Sequence, residues 1–187
     1  MRHLSVTMQT LWQRLEAQIV RHEPTRCVTA SRVASLEEIS EVENSLGIQL
    51  PEELKQFYLK FSRDWAWRLG NWIIQPLPDL GYLTDSMLGK MVIDHVFTDK
   101  EQSWNAKWID FAEEVDGKKF MCMNLDPETD VELPESFFTQ IGEVFEFDTE
   151  EYSVLSEGVS FREWLENLLT QLEMPQDKPL QKSQSGA

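Results

Sequence analysis

Three histidines, two cysteines and a dense run of carboxylates are the groups in this 187-residue chain whose types could support chemistry. His3, His22 and His95 stand far apart, and none pairs with another His or Cys at metal-ligand spacing, so no zinc site is expected. Asp94 precedes His95 and would suit a general base held by a carboxylate. Adjacent residues on a helix or strand point apart, however, and a partly buried, structurally satisfied His95 is the favoured reading. Cys27 and Cys122 form neither a metal pair nor a disulfide framework. Cys122 sits inside Phe120-Met-Cys-Met-Asn with no cation beside it to lower its pKa, so it reads as core packing; Cys27, beside Arg26, reads as a spare thiol. Asp126, Glu128, Asp130 and Glu132 alternate and invite a calcium reading. An EF-hand loop needs Gly at its sixth place and Glu at its twelfth, where Val131 and Phe137 stand. The chain has no nucleophile elbow, no dinucleotide-binding glycine motif and no phosphate-binding loop. The expectation is no catalytic residue, no metal, no cofactor, and a protein that is not an enzyme.

Charge is the stronger signal. The formal net charge is −16, and residues 110–173 hold 18 Asp/Glu against 3 Lys/Arg, whereas residues 1–109 hold 14 against 12. A general solubility bias would spread the excess more evenly. Such a field repels nucleic acid and anionic lipid and attracts basic proteins, so neither a nucleic-acid nor a membrane partner is expected. A solvated acidic face with no partner is the bland alternative. No stretch is long and apolar enough for a membrane helix, and the N-terminus does not read as a signal peptide. With two isolated cysteines, a reducing, cytoplasmic setting is the default.

The elements that must position these groups are legible from periodicity. Residues 4–20 read as a helix, with Leu4, Met8, Leu11, Trp12, Leu15 and Ile19 on one face. A connector to residue 34 follows. Ser35 caps a second helix, and Glu38 completes a capping box; Leu36, Ile39, Val42 and Leu46 form its stripe. Gly47 suits the left-handed C-cap, and Pro51 suits the first turn of a third helix with Leu54, Phe57, Tyr58 and Phe61 on one face. Trp67 to Gln75 reads as a strand or hairpin turning at Gly70-Asn71, and residues 76–83 as a loop. Residues 84–95 fit a helix better than a strand. Trp108 to Ala112 and Lys119 to Leu125 look like paired strands across Asp116-Gly117; Val144 to Phe147 and Tyr152 to Leu155 look like a second pair. Ser160 begins the last helix, with Glu163 completing a capping box and Phe161, Trp164, Leu165, Leu168, Leu169 and Leu172 on its apolar face. Trp12 and Trp164 belong to the core. Trp65, Trp67 and Trp72 crowd a turn and a strand whose side chains alternate, so burial of all three and partial exposure of one stand about even. The residues from 174 read as a disordered tail.

The run Leu36-Glu-Glu-Ile-Ser-Glu-Val-Glu-Asn-Ser-Leu46-Gly47-Ile-Gln-Leu50-Pro51-Glu-Glu-Leu-Lys-Gln-Phe57-Tyr-Leu-Lys-Phe61 resembles the signature of the SMI1/KNR4 family, part of the SUKH superfamily. The matching positions are Ile39, Glu43, Leu46, Gly47, Leu50, Pro51, Leu54, Phe57 and Phe61. Trp108-Ile-Asp-Phe-Ala112 with Asp116-Gly117, and the helix from Ser160 to Leu169, resemble later parts of the family in the same order. Where the family usually turns at Asn-Gly after the second of these helices, this chain has Ser62-Arg63-Asp64-Trp65. The resemblance implies an α+β fold, helices packed on a mainly antiparallel sheet, over residues 35–173, with residues 1–34 as an N-terminal helix and connector.

It also implies a non-enzymatic binding protein. Many bacterial members are immunity proteins that neutralise a toxin, often a nuclease. A nuclease grips phosphates with Lys and Arg, and dense carboxylates can occupy the same groove. On this reading Asp126, Glu128, Asp130, Glu132, Glu143, Glu146, Asp148, Glu150 and Glu151 form the partner face, with Trp65 or Trp67 as an aromatic anchor. The alternative is an intracellular scaffold or regulatory module, as fungal members of the family resemble. A hydrolase using acidic residues and a metal is a third possibility, to which no motif points.

Overall fold

The computed structural model describes residues 7–22, 33–61, 64, 66–83, 85–87, 107–125, 141–151 and 153–174. Helix α1 spans Met8–His22. The Thr7 hydroxyl accepts from the Thr10 amide at its start, and Leu11, Trp12, Leu15 and Ile19 are buried along one stripe. Helix α2 spans Leu36–Leu46 and opens on the expected capping box: the Ser35 hydroxyl accepts from the Glu38 amide while the Glu38 carboxylate accepts from the Ser35 amide. Gly47 ends it at φ 64°, and the Gly47 and Ile48 amides both donate to the Glu43 carbonyl. A side chain at Gly47 would meet nothing within 4 Å, so the left-handed backbone, not space, is what calls for glycine. Pro51 then leads into helix α3, Glu52–Lys60.

The corner between α2 and α3 is held by Glu43, which points inward and is 7 % exposed. Its Oε1 accepts the Leu50 amide at 2.8 Å and lies 2.7 Å from Lys55 Nζ. One carboxylate thus joins α2, the peptide of the connecting turn and α3. The Tyr82 hydroxyl donates to the Leu46 carbonyl and fastens the end of α2 to the sheet.

Eight strands form one antiparallel sheet among the described residues. They are β1 Trp67–Leu69, β2 Trp72–Ile74, β3 Gly81–Tyr82, β4 Trp108–Glu114, β5 Lys119–Asn124, β6 Glu143–Asp148, β7 Ser153–Val154 and β8 Val159–Ser160, followed by helix α4, Phe161–Glu173. The order is β1-β2-β4-β5-β6-β7, with β3 also on β4 and β8 also on β6. The β1–β2 hairpin turns at Gly70-Asn71 as its sequence predicts. Both later strand pairs form as well, and the Ser160 hydroxyl caps α4 by accepting from the Glu163 amide.

Residues 77–83, expected as loop, instead contain a 3-10 turn at Leu77–Asp79, closed by the Asp79 and Leu80 amides on the Pro76 and Leu77 carbonyls, and the short β3, which pairs with β4. Helix α1 runs from Met8 among the described residues, and the expected helical residues 4–6 lie outside them. The expected helix over residues 84–95, with His95, falls largely outside the described residues, as do Cys27, the corner residues 62, 63 and 65, and the tail beyond 174.

Ile109, Met121, Met123 and Val144 lie on the face that packs with the helices in the main core. The register shifts between Asp110 and Ala112. Phe111 occupies this irregularity, with its ring 5.8 Å from Phe161 and 5.1 Å from Trp164. The other face carries a second cluster of Trp108, Phe120, Cys122, Phe145 and Phe147 with Leu83 and Met87. Burial on both faces explains why β5 reads as a continuous apolar run instead of an alternating one. Helix α1 shares the main core, and Arg14 forks onto Glu173 of α4 through two bonds of 2.9 and 2.8 Å.

Strand β4 also buries a carboxyl group. Asp110 is 1 % exposed; its Oδ2 accepts from Gln75 Nε2 at 2.9 Å and Ser86 Oγ at 3.0 Å, while Oδ1 has no partner among the described residues. Burial pushes its pKa up against the pull of those two hydrogen bonds. The same burial pushes the cross-strand Cys122 thiol up, with Asp110 adding to the shift, as befits a core cysteine and not a nucleophile.

Two outcomes test these assignments. Glu43→Ala leaves the Leu50 amide unpartnered and should lower stability by about 1–3 kcal/mol in urea unfolding, and Glu43→Gln, which keeps an acceptor, should cost less. Because the folded pKa of Asp110 lies above its unfolded value, its contribution is most favourable below the unfolded pKa and is lost as pH rises through the folded one. Asp110→Asn should therefore gain stability relative to the parent as pH rises from 4 to 8, read as diverging thermal midpoints.

Candidate partner-binding face

The β4–β5 turn and the β6–β7 turn lie side by side at one end of the sheet. In the first, Gly117 adopts φ 71°, its amide donates to the Glu114 carbonyl at 2.8 Å, and Asp116 Oδ1 accepts from the Lys118 amide at 3.1 Å. In the second, Asp148 Oδ1 accepts from the amides of both Glu150 and Glu151 at 2.8 Å. Thr149 locks the two together. It is 5 % exposed, its amide donates to the Lys118 carbonyl at 2.9 Å, and its hydroxyl donates to the same carbonyl at 2.8 Å.

This docking gathers six carboxylates, Glu114, Asp116, Glu146, Asp148, Glu150 and Glu151, around two lysines. Lys118 Nζ is 3.3 Å from Glu150 Oε1, and Lys119 Nζ is 3.5 Å from Glu146 Oε2. Glu150 and the neighbouring carboxylates hold the Lys118 pKa above its ordinary value. The Glu114 carboxyl is pushed up by burial and then by Asp116, with Lys119 pulling it back. No group of three or more His, Cys, Asp or Glu among the described residues could hold a metal ion. What the arrangement can do is electrostatic: present negative charge, with carboxylates on two turns of a rigid sheet.

The residues expected on this face fare differently. Glu146, Asp148, Glu150 and Glu151 come together here. Glu143 does not: it pairs with Ser160 at the far end of β6, and three residues along a strand from Glu146 it points to the opposite face. Trp67 is a correction. It is 3 % exposed, because Trp67 and Leu69 alternate inward while Arg68 between them faces out, so it packs in the core and offers no exposed anchor. Asp126, Glu128, Asp130, Glu132 and Trp65 lie outside the described residues. Glu114 and Asp116 were not among the expected face residues, although the predicted turn at Asp116-Gly117 already placed them beside a strand end. Of the described members of the crowded trio, Trp72 is half-buried and lies directly across from Glu114.

No helix among the described residues is long and apolar enough to cross a membrane. No curated protein sequence matches this chain significantly. The sequence profile of the SMI1 / KNR4 family (SUKH-1) matches residues 33–167, from the strand of chain before Ser35 to the middle of α4. Glu43, Gly47, Leu50 and Pro51 are the signature positions that build the α2–α3 corner, and with the profile match over most of the chain they make this protein a member of the SMI1/KNR4 family.

Proposed function

We propose that this protein is a non-enzymatic inhibitor, an immunity protein of a bacterial cytoplasm that neutralises a basic toxin by direct binding. The observation that carries the reading is the acidic end of the sheet. Two turns about thirty residues apart in sequence are bonded to each other through Thr149, and together they present six carboxylates against two lysines. The family's association with immunity-like proteins supports the same class. A nuclease is the toxin class this surface suits best, because the Lys and Arg that hold phosphates form a cationic groove that dense carboxylates can fill. Long-range attraction would steer the encounter, with association rates reaching about 10⁸–10⁹ M⁻¹s⁻¹ at low salt.

Co-purification at low and high salt identifies the toxin, and charge reversal then tests the face. Changing Glu146, Asp148, Glu150 and Glu151 together to Lys should abolish toxin binding measured by calorimetry at low salt, with the fold retained by circular dichroism. Affinity that survives this change with its salt dependence intact would show that the face lies elsewhere.

A further inference from the structure

Beside the acidic end, the seam between α4 and the sheet opens into a cavity of about 210 Å³. Trp72, Met121, Trp164 and Leu168 form its walls, and Glu146, Glu157 and Gln171 border it. Every one of these side chains belongs to a well-packed element or to the turns bonded to it. Trp72 is half-buried, whereas Trp164 is 7 % exposed. Glu157 is exposed and makes no ion pair among the described residues. Among the described residues the Glu146 carboxylate makes one loose ion pair, 3.5 Å to Lys119, and both side chains are 35 % exposed.

We infer that this cavity receives one arginine side chain of the partner, an assignment that rests on the acidic end being the partner face. The walls and the border match the two halves of arginine. A three-carbon stem buries against Met121 and Leu168. A planar guanidinium stacks on an indole face and carries five donors for the carboxylates of Glu146 and Glu157 and the amide of Gln171. Lysine would keep the charge but lose the planar stacking and the fork of donors. An apolar partner side chain would fill the walls but leave two carboxylates to be desolvated without a counter-charge. Glu146 is shared between the face and the cavity, so an arginine seated here would take over the carboxylate that Lys119 holds loosely. The general field of the turns then attracts the partner, and this cavity fixes its register. Tight, central pockets that take Arg or aromatic anchors are where interface energy concentrates.

The test uses the full ¹⁵N-labelled chain and two blocked peptides, Gly-Arg-Gly-Arg-Gly and its lysine counterpart, titrated at low salt while the indole N–H signals are followed by NMR. The arginine peptide should move the Trp72 and Trp164 indole signals and bind several-fold tighter than the lysine peptide. Trp72→Leu and, separately, the surface change Glu157→Gln should each weaken arginine-peptide binding by up to about tenfold. Equal affinity for the two peptides, unmoved indole signals, or no binding of the arginine peptide would each overturn the pocket. The two readings fail separately: full toxin affinity in Trp72→Leu, with loss of binding in the fourfold lysine variant, would remove the pocket and leave the acidic face standing.

Discussion

The Glu43 carboxylate is the constraint on which the helical layer depends. A connecting turn between two helices leaves backbone amides without intrahelical partners, and one that is buried must find an acceptor. Here the Leu50 amide finds Glu43 Oε1, and Lys55 from the following helix offsets the charge. The geometry works only because α2 stops where it does. Gly47 turns the chain left-handed after Leu46, Ile48 closes back onto the Glu43 carbonyl, and Pro51 starts α3 without needing an amide partner. With that angle set, Leu54, Phe57 and Tyr58 point into the same core as Ile39. The family signature is therefore a description of one corner: its polar and glycine positions satisfy the backbone, and its apolar positions fill the space the corner encloses.

The sheet depends on this layer and in turn supports the acidic end. Helices α1 to α4 cover one face, and the opposite face is also closed by apolar side chains, so the interior strands carry hydrophobic residues in both directions. Polar character is pushed out to the strand ends and turns. The β4–β5 and β6–β7 turns are short, tightly hydrogen-bonded and tied to each other, which lets carboxylates be held close without relying on long flexible side chains.

Holding six carboxylates together works against stability, because like charges repel and burial raises the cost further. The structure offsets this locally. Lys118 and Lys119 stand inside the group, and Asp148 spends its carboxylate on two turn amides. The residual strain shows in Glu114, whose proton is held more tightly than an exposed glutamate would hold it. A surface that keeps such a cost has its excess charge available to an oppositely charged partner. Next to it, the cavity under α4 adds shape to a field that is otherwise only attractive.

Local order was legible in the residues themselves. The capping box at Ser35, the left-handed cap at Gly47, the hairpin at Gly70-Asn71 and the apolar face of α4 each follow from chemistry within about ten residues, and each stands in the structure. The acidic bias of residues 110–173 was equally plain, since it needs only counting. What the chain alone did not disclose depends on register and packing between distant segments. Parity along β6 separates Glu143 from Glu146, and the pairing of β2 with β4 sets Trp72 against Glu114, while Trp67, equally aromatic and only five residues earlier, turns into the core. The bonds from Thr149 to Lys118 bring Glu114 and Asp116 to the later acids. Composition determined that this protein carries a strong negative field; only the tertiary structure decided which carboxylates share a surface, because a strand's alternation assigns faces only after its partner and its register are chosen.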